Sequence, residues 1–425
     1  MNVHDSERIA GLLEQAGYEI TQDLSESDLA IINTCSVRER AEDKLLTRLE
    51  NMSGSFKDGR PTIAVTGCVA QQEGANLFKK NKSIDVVIGT HSIKSLPLLV
   101  AKASSTGLKQ LDINPYDDVS FPLGIAVRKD PVKAFVTIIE GCNDFCSFCV
   151  VPYTRGKERM RPLEDILAEI RCAVSKGHCE IQLLGQIVNH YQAPDSPGCD
   201  FSSLLERVHE IPGVKRIRFA SPHPRHVTPR MISIMRDLPM VCKHMHLPVQ
   251  SGSTRTLASM RRRYTREEYL SLVSVIRKTV PDVSLSTDLI VGFPGESLKD
   301  FEETLSLVRS VRFHSIFSFK YSERPNTLAS KRMPNTVSEV EKNKRLVQLQ
   351  ALQKKIQLEI NQKSVGGVVE VLVDSRSRKR TEELSGRTSQ NVVVNFPGKS
   401  DWIGRMLKVT VKRAGPNSLW GEAVN

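Results

Sequence analysis

Gly141-Cys142-Asn143-Asp144-Phe145-Cys146-Ser147-Phe148-Cys149 places three cysteines in a C-x3-C-x2-C spacing, directly after an apolar, strand-like run at 135–139. That spacing lets one short loop wrap three thiolates around one metal centre. Held by three ligands, a four-iron cluster keeps one iron without a protein ligand, open to bind and activate a small molecule. The other readings are three structural cysteines or a partial zinc site. Zinc favours four closed ligands, usually in paired Cys or Cys/His sets. No second pair follows here, and the next cysteines, Cys172 and Cys179, fall on or after a predicted helix.

Outward from the loop, residues 128–361 alternate strand and helix. Strands are expected at 135–139, 180–184, 216–219, 244–247, 283–291 and 315–321. Between them lie amphipathic helices. The clearest, 162–174, puts Leu163, Ile166, Leu167, Ile170 and Val174 on one face, with Pro162 suited to its first turn. Six such βα units imply a partial parallel barrel with its chemistry at the carboxyl ends of the strands. The cysteine loop follows the first strand and falls on that face. A long Glu-, Lys-, Gln- and Leu-rich helix, 337–361, leads out of the barrel.

Residues 1–105 read as a separate α/β unit. Helices are expected at 6–15 and 41–49, and strands at 29–32, 62–65 and 86–88. Two of the strands deliver a cysteine at their carboxyl ends, Asn33-Thr34-Cys35 and Gly67-Cys68. Ligands collect at that edge of an open α/β sheet; alone, either cysteine would more often be a buried core thiol. Residues 106–127 read as a linker. Residues 363–425 alternate short β-rich runs (368–373, 392–396, 407–411) with turn residues, which suggests a small antiparallel barrel. This last segment holds 11 Lys and Arg against 6 Asp and Glu, part of a chain-wide net charge of +12. Its run Arg376-Ser377-Arg378-Lys379-Arg380 lies in the first predicted turn, either a solvated loop or an RNA-backbone contact.

The 425 residues imply two or three domains. Hydrophobic content of 40% and charged content of 25% are those of a soluble globular protein. With no membrane-length apolar run and no secretory signal, the nine cysteines argue for a reducing cytoplasm and metal ligation rather than disulfides.

Taken together, these motifs resemble the MiaB-type methylthiotransferases, radical S-adenosylmethionine enzymes that modify tRNA. The likeness spans essentially the whole chain. It rests on Asn33-Thr34-Cys35-Ser36-Val37-Arg38-Glu39, on Gly67-Cys68, and on Cys142 to Cys149 running into Val150-Val151-Pro152-Tyr153-Thr154-Arg155-Gly156. It rests also on Leu247-Pro248-Val249-Gln250-Ser251-Gly252 and Asp288-Leu289-Ile290-Val291-Gly292-Phe293-Pro294-Gly295-Glu296. Leu384-Ser385-Gly386-Arg387-Thr388 resembles a TRAM domain. The implied architecture is an N-terminal α/β methylthiotransferase domain, a partial (β/α)6 radical barrel and a C-terminal β-barrel TRAM domain.

The resemblance implies two [4Fe–4S] clusters and S-adenosylmethionine as cofactors. Cys142, Cys146 and Cys149 would hold the radical cluster. Cys35 and Cys68 match two of the three ligands of an auxiliary cluster that carries the transferred sulfur. The pattern enters at Met1, so the third ligand would lie two residues before it. Gly185, Gln186, Gln250 and Gly292 are the candidate cofactor contacts, each with a plain turn or a solvated amide as the alternative. Two departures, Ile187 in Gly185-Gln186-Ile187-Val188-Asn189 and the Asn326 and Leu328 positions, touch substrate-side details. Arg155 reads as neutralising cluster, cofactor or RNA charge, or as a structural ion pair. Arg261, Arg262 and Arg263 read as an RNA contact or a solvated face. His244 and His246 read as core or barrel lining, and Cys172, Cys179, Cys199 and Cys242 as structural. No side chain is assigned as a catalytic acid or base.

The implied reaction is methylthiolation at C2 of N6-isopentenyladenosine, position 37 of tRNA, beside the anticodon. The expected partners are the tRNA anticodon stem-loop and an electron donor such as flavodoxin or ferredoxin, with the protein a cytoplasmic monomer free of membranes. The alternatives are threonylcarbamoyladenosine as substrate, a ribosomal-protein side chain as in RimO-like enzymes, or an iron–sulfur RNA-binding protein without turnover.

Overall fold

The computed structural model describes residues 1–36, 41–52, 60–114, 125–378 and 380–424. The chain divides into two compact units. One comprises Met1–Lys129, Glu140–Asp144 and Cys149–Arg159; the other comprises Asp130–Ile139, Phe145–Phe148 and Met160–Asn425.

In the first unit, a parallel sheet runs in the order Leu29–Thr34, Thr62–Gly67, Val86–Ile88, Gln110–Asp112. Its inner strands are buried on both faces, which is why they read as continuous apolar runs. Helix Ala41–Met52 packs Leu45 and Leu49 on one face, against Ile63, Val65 and Val87. Helices Asn2–Gln15 and Leu96–Thr106 cover the other face with Ile9, Leu13, Leu96 and Val100. Gln110–Asp112 falls within the stretch read as linker. Too short and polar to announce itself, it becomes a strand by pairing with Val86–Ile88. Residues 115–124 of that stretch lie outside the described residues, as do Val37, Arg38 and Glu39 of the first motif.

The second unit holds six parallel strands in sequence order: Lys133–Thr137, Glu180–Leu184, Arg216–Phe219, His244–His246, Ser284–Val291 and Ser315–Lys320. They form two runs of three. Arg216–Phe219 connects to the segment before His244 through a parallel bridge, Ile217 to Val241. One hydrophobic core joins the strands to their helices, with Val136, Ile181, Leu183, Ile217 and Leu285 meeting Ile166, Leu204, Met235 and Val308. Pro162 caps helix Leu163–Ser175, as its fixed φ favours. Among the described residues no helix is long and apolar enough to cross a membrane.

Helix Glu339–Gln362 leads into a closed barrel of Val368–Arg376, Glu383–Arg387, Val393–Pro397, Leu419–Ala423 and Met406–Ala414. The expectation of a wholly antiparallel barrel is corrected in one place: Val393–Pro397 pairs parallel with Leu419–Ala423. Gly386 explains its place in the Leu384 to Thr388 motif, because a Cβ there would sit 2.4 Å from the carbonyl oxygen of Leu372 on the neighbouring strand.

This small barrel docks on the amino-terminal ends of the six strands. Arg218 donates to the carbonyls of Thr388 (2.7 Å) and Ser389 (3.3 Å), and Arg216 to those of Arg387 and Glu370. The Lys243 N–H reaches Ser389 Oγ at 2.8 Å, and Val132, Cys179 and Leu372 form an apolar contact.

Candidate functional site

Cys35 and Cys68 leave neighbouring strands at the same level. The parallel register pairs Thr34 with Gly67, so each cysteine is the next residue on its own strand. Adjacent strands lie about 4.8 Å apart, which brings the two thiols to one sheet edge. Gly67 makes this possible: it has φ +94°, and a Cβ there would lie 2.2 Å from the Thr34 carbonyl oxygen. Asn33 ties the start of helix Asn2–Gln15 to the same edge, donating from Nδ2 to the Asn2 carbonyl and to Ser6 Oγ, both at 2.9 Å.

Cys142 and Cys149 belong to this first unit. The Cys142 N–H donates to the Gly156 carbonyl (3.2 Å), and the Asp144 N–H points at Cys142 Sγ (3.5 Å). Gly141 has φ +80°, and a Cβ there would meet the Lys157 carbonyl at 2.0 Å. The run after Cys149 forms the short helix Val151–Thr154, which packs on helix Cys68–Glu73. Arg155, just past it, forms a buried ion pair with Asp5. Burial works against the Asp5 carboxylate, but Arg155 more than offsets it and holds the carboxyl below its usual range. Burial works against the Arg155 guanidinium, but Asp5 more than offsets it, with Glu140 adding to the effect, and keeps Arg155 charged. Of the two readings of Arg155, the structural ion pair is the one observed.

Cys146 lies in the second unit, where its loop is fastened to the turn after helix Thr254–Ser259. Ser147 donates its N–H to the Met260 carbonyl (3.1 Å) and its hydroxyl to the Ser259 carbonyl (2.8 Å), and its carbonyl accepts from the Ala329 N–H at 2.7 Å. Phe148 packs edge-on against Phe293, with 6.4 Å between ring centroids. In the turn itself, Arg261 (φ +59°) and Arg263 (φ +57°) are left-handed and exposed, which turns Arg262 inward, to 6% exposure. Its Nη1 reaches Cys146 Sγ at 3.3 Å, its Nη2 the Pro248 carbonyl at 3.1 Å, and its Nε the Tyr264 hydroxyl oxygen at 3.1 Å. Burial works against the guanidinium charge, yet Tyr264 and Cys146 more than compensate and keep its pKa above the ordinary value. Both readings of the arginine run miss this middle residue; three consecutive arginines carry no signal of which one is buried.

The remaining candidates sit at the carboxyl ends of the barrel strands. Gly185 follows the second strand, and a Cβ there would press on Ile139 and Val188 at 3.3 Å; Gln186 is its half-buried neighbour. The next loop residue to matter is Asn189, which clamps His223 by exchanging hydrogen bonds with its backbone, 3.0 and 2.8 Å. Gln250 is left-handed (φ +76°), a strained conformation for a non-glycine residue. Its N–H donates to the Asp288 carbonyl and its carbonyl accepts from the Ile290 N–H, both at 2.9 Å, which fixes it beside the fifth strand. Gly292 (φ +71°) is accounted for locally: a Cβ there would lie 2.3 Å from Cγ of the buried Lys342. His244 and His246 line the barrel as expected, both bonded to Ser286 Oγ, at 3.0 and 2.9 Å. Burial raises the thiol pKa of Cys179, Cys199 and Cys242, which suits the structural roles expected of them.

Among the described residues, no three His, Cys, Asp or Glu side chains already converge as metal ligands. The donor set nonetheless fits an iron–sulfur group. Three thiols lie within eight residues, left-handed Gly141 and Phe145 (φ +47°) let the loop wrap, and N–H donors aim at two of the sulfurs. Donors of this kind stabilise thiolates bound to a cluster.

Family models match three segments: the Radical SAM superfamily at residues 136–308, an uncharacterized protein family, UPF0004, at 1–89, and the TRAM domain at 362–424. A tRNA-2-methylthio-N(6)-dimethylallyladenosine synthase from Syntrophus aciditrophicus is 44% identical over 99% of this chain and 92% of its own length. One of the same name from Caldicellulosiruptor saccharolyticus is 44% identical over 100% of this chain and 90% of its own. Among solved structures, a radical S-adenosylmethionine methyltransferase, TsrM, from Kitasatospora setae shares the fold. The match has a TM-score of 0.55 and 13% identity, and covers 77% of this chain and 70% of that one. These matches bear out the methylthiotransferase resemblance and the three-part α/β architecture, and favour the first of the substrate readings over its alternatives. The chain belongs to the family of the tRNA-2-methylthio-N(6)-dimethylallyladenosine synthases, within the radical S-adenosylmethionine superfamily.

Proposed function

We propose that this protein adds a methylthio group to C2 of N6-isopentenyladenosine at position 37 of tRNA. The observation that carries the reading is the full-length match to synthases of that name, together with the cysteine loop at the head of the barrel. In this reading Cys142, Cys146 and Cys149 hold a [4Fe–4S] cluster whose fourth iron binds S-adenosylmethionine. Cys35 and Cys68 contribute to an auxiliary cluster. When bound, these groups would supply radical chemistry at an aromatic carbon that acid–base chemistry reaches poorly, and the sulfur to be placed there. A second S-adenosylmethionine supplies the methyl group.

The chain's own residues bind, orient and exclude water. In this reading Gly185, Gln186 and Gln250, at the carboxyl end of the barrel, contact the cofactor. Gly292, just past the fifth strand, contacts it as well in this reading. The barrel mouth limits water around a reactive species. The basic barrel of residues 363–425 takes the anticodon stem-loop, and the target base leaves its stack to reach the mouth, at low cost in a loop. Domain limits of 1–105, 128–361 and 363–425, a flavodoxin or ferredoxin donor, a monomeric state and a cytoplasmic setting complete the proposal.

The test is nucleoside mass spectrometry of isopentenylated tRNA after anaerobic incubation with reconstituted protein, S-adenosylmethionine and a strong reductant. Methylthio-isopentenyladenosine supports the reading. Release of deoxyadenosine with unmodified tRNA retains the radical chemistry and refutes the substrate.

A further inference from the structure

We propose that Arg262 is a positioning residue for the centre held by Cys142, Cys146 and Cys149. Its guanidinium donates to Cys146 Sγ and makes that centre easier to reduce. The inference rests on the cluster reading above and adds a residue that the cysteine motif does not contain.

The argument starts from charge. Arg262 is buried, and a buried guanidinium needs an anion or a full set of acceptors. Among the described residues it has no carboxylate partner. Its acceptors are the Pro248 carbonyl, the Tyr264 hydroxyl and Cys146 Sγ. Of these, the sulfur is the group whose anionic form is an iron ligand. The first two acceptors fix the plane of the guanidinium. Tyr264 is itself held, its hydroxyl donating toward the Val249 carbonyl at 2.9 Å, and the Arg262 guanidinium lies 5.4 Å from the centre of its ring. The backbone is fixed too, because the Arg262 N–H closes on the Leu257 carbonyl at 2.9 Å and Ser147 is stapled to Ser259 and Met260. Donor and sulfur are therefore held from both sides, 116 residues apart in sequence.

A three-thiolate cluster gains one negative charge on reduction. A fixed positive donor on one of its sulfurs stabilises the reduced form more than the oxidised form, so the midpoint potential rises. Loss of the donor should lower the ratio of reduced to oxidised cluster at a given applied potential by roughly tenfold, equivalent to about 59 mV for a one-electron couple.

The experiment is an EPR-monitored redox titration of the full chain. Cys35 and Cys68 are replaced by alanine, so that only the loop's centre is read. Arg262→Gln is compared with the parent. A midpoint lower by the stated shift, with iron content unchanged, supports the proposal. An unchanged midpoint overturns it, including the case in which S-adenosylmethionine binding alone weakens and Arg262 serves the cofactor instead. If R262Q does not retain its iron, Arg262→Lys decides. It keeps the charge but not the planar fork, so its midpoint should fall by less, and a midpoint equal to the parent's overturns the inference. A parent without a cluster signal would instead refute the cluster reading itself.

Discussion

Replacing Arg218 by Met tests how the terminal barrel is held. Arg218 Nε pairs with Glu180 Oε2 at 2.9 Å, both side chains being at most 5% exposed, while its two Nη atoms serve the Thr388 and Ser389 carbonyls. Burial opposes the Glu180 carboxylate, but Arg218 and then Lys133 hold its pKa below the usual range. Without Arg218, Glu180 keeps only Lys133, at 3.2 Å, as an ion-pair partner among the described residues. Stranding the carboxylate costs about 3 kcal/mol, the lower end for a broken buried pair because Lys133 remains. The two carbonyls that lose a donor cost about 1 kcal/mol each. The single variant should therefore lose about 5 kcal/mol. In Arg218→Met with Glu180→Leu no buried carboxylate is stranded; Lys133 loses its partner, but its side chain is 17% exposed and reaches water, so the loss should fall to about 2 kcal/mol. Both tryptophans, Trp402 and Trp420, lie in the terminal barrel, so urea unfolding followed by tryptophan fluorescence reads this region alone. With a slope of about 2 kcal/mol per molar, the single variant's midpoint should drop by about 2.5 M and the double variant's by about 1 M. A single-variant shift under about 0.5 M, or a double variant no better than the single, would refute the reasoning.

Alanine at Cys142, Cys146 or Cys149 should abolish deoxyadenosine release. Alanine at Cys35 and Cys68 should remove the auxiliary iron and leave that release intact; iron analysis and product assays on the same samples check both. His223, His244 and His314 all have pKa values lowered chiefly by burial, His223 to about 2. Folded values below the unfolded one, about 6.5, mean that the unfolded chain binds the extra protons. The contribution is intact above that pH and is lost as pH falls, by about 1.4 kcal/mol each for His223 and His244 between about pH 7.5 and 5.5, with His314 adding in the same direction. Denaturation curves with equal stability at those two pH values would contradict it. Gly292→Ala adds a Cβ 2.3 Å from Lys342 Cγ at φ +71°, and should cost about 2 kcal/mol or more, read as a lower unfolding temperature. Neutralising Arg378 and Arg380 should reduce the slope of log affinity against log salt for the anticodon stem-loop by about 0.7 for each phosphate that the loop no longer neutralises; an unchanged slope would remove this loop from the RNA interface.

Glu180–Leu184 was legible because a strand buried on both faces is a run of apolar residues, here Ile181, Leu183 and Leu184; Arg216–Phe219, His244–His246 and Ser315–Lys320 carry polar residues and were legible from their places between helical patterns. The cysteine spacing was legible because its ligands are close in sequence. What escaped depends on distant partners. Glu383–Arg387 carries polar residues and a glycine, and is a strand because Gly386 fits against the Leu372 carbonyl. That Gly292 must also clear Lys342, 50 positions later, could not be read from its own turn. Arg262 is identical in sequence to its two neighbours, and only the left-handed residues on either side turn it toward Cys146.

The side chains of the second unit separate two tasks along the strand axis. Arg216 and Lys243, at or just before the starts of two strands, bond to the terminal barrel, and the Glu180–Lys133 pair at the starts of two others holds Arg218, which does the same. Cys146, Gln250 and Phe293 lie beyond the strand ends. Strands of three to eight residues at about 3.3 Å per residue put roughly 10–26 Å between these levels. On the proposed function, an RNA held by the basic barrel must span that distance to present a base at the mouth, which a rigid docked barrel allows and a loosely tethered one would not. The buried arginines at the strand starts then set the distance from RNA grip to chemistry. R218M should therefore raise the KM for tRNA while leaving deoxyadenosine release without tRNA unchanged.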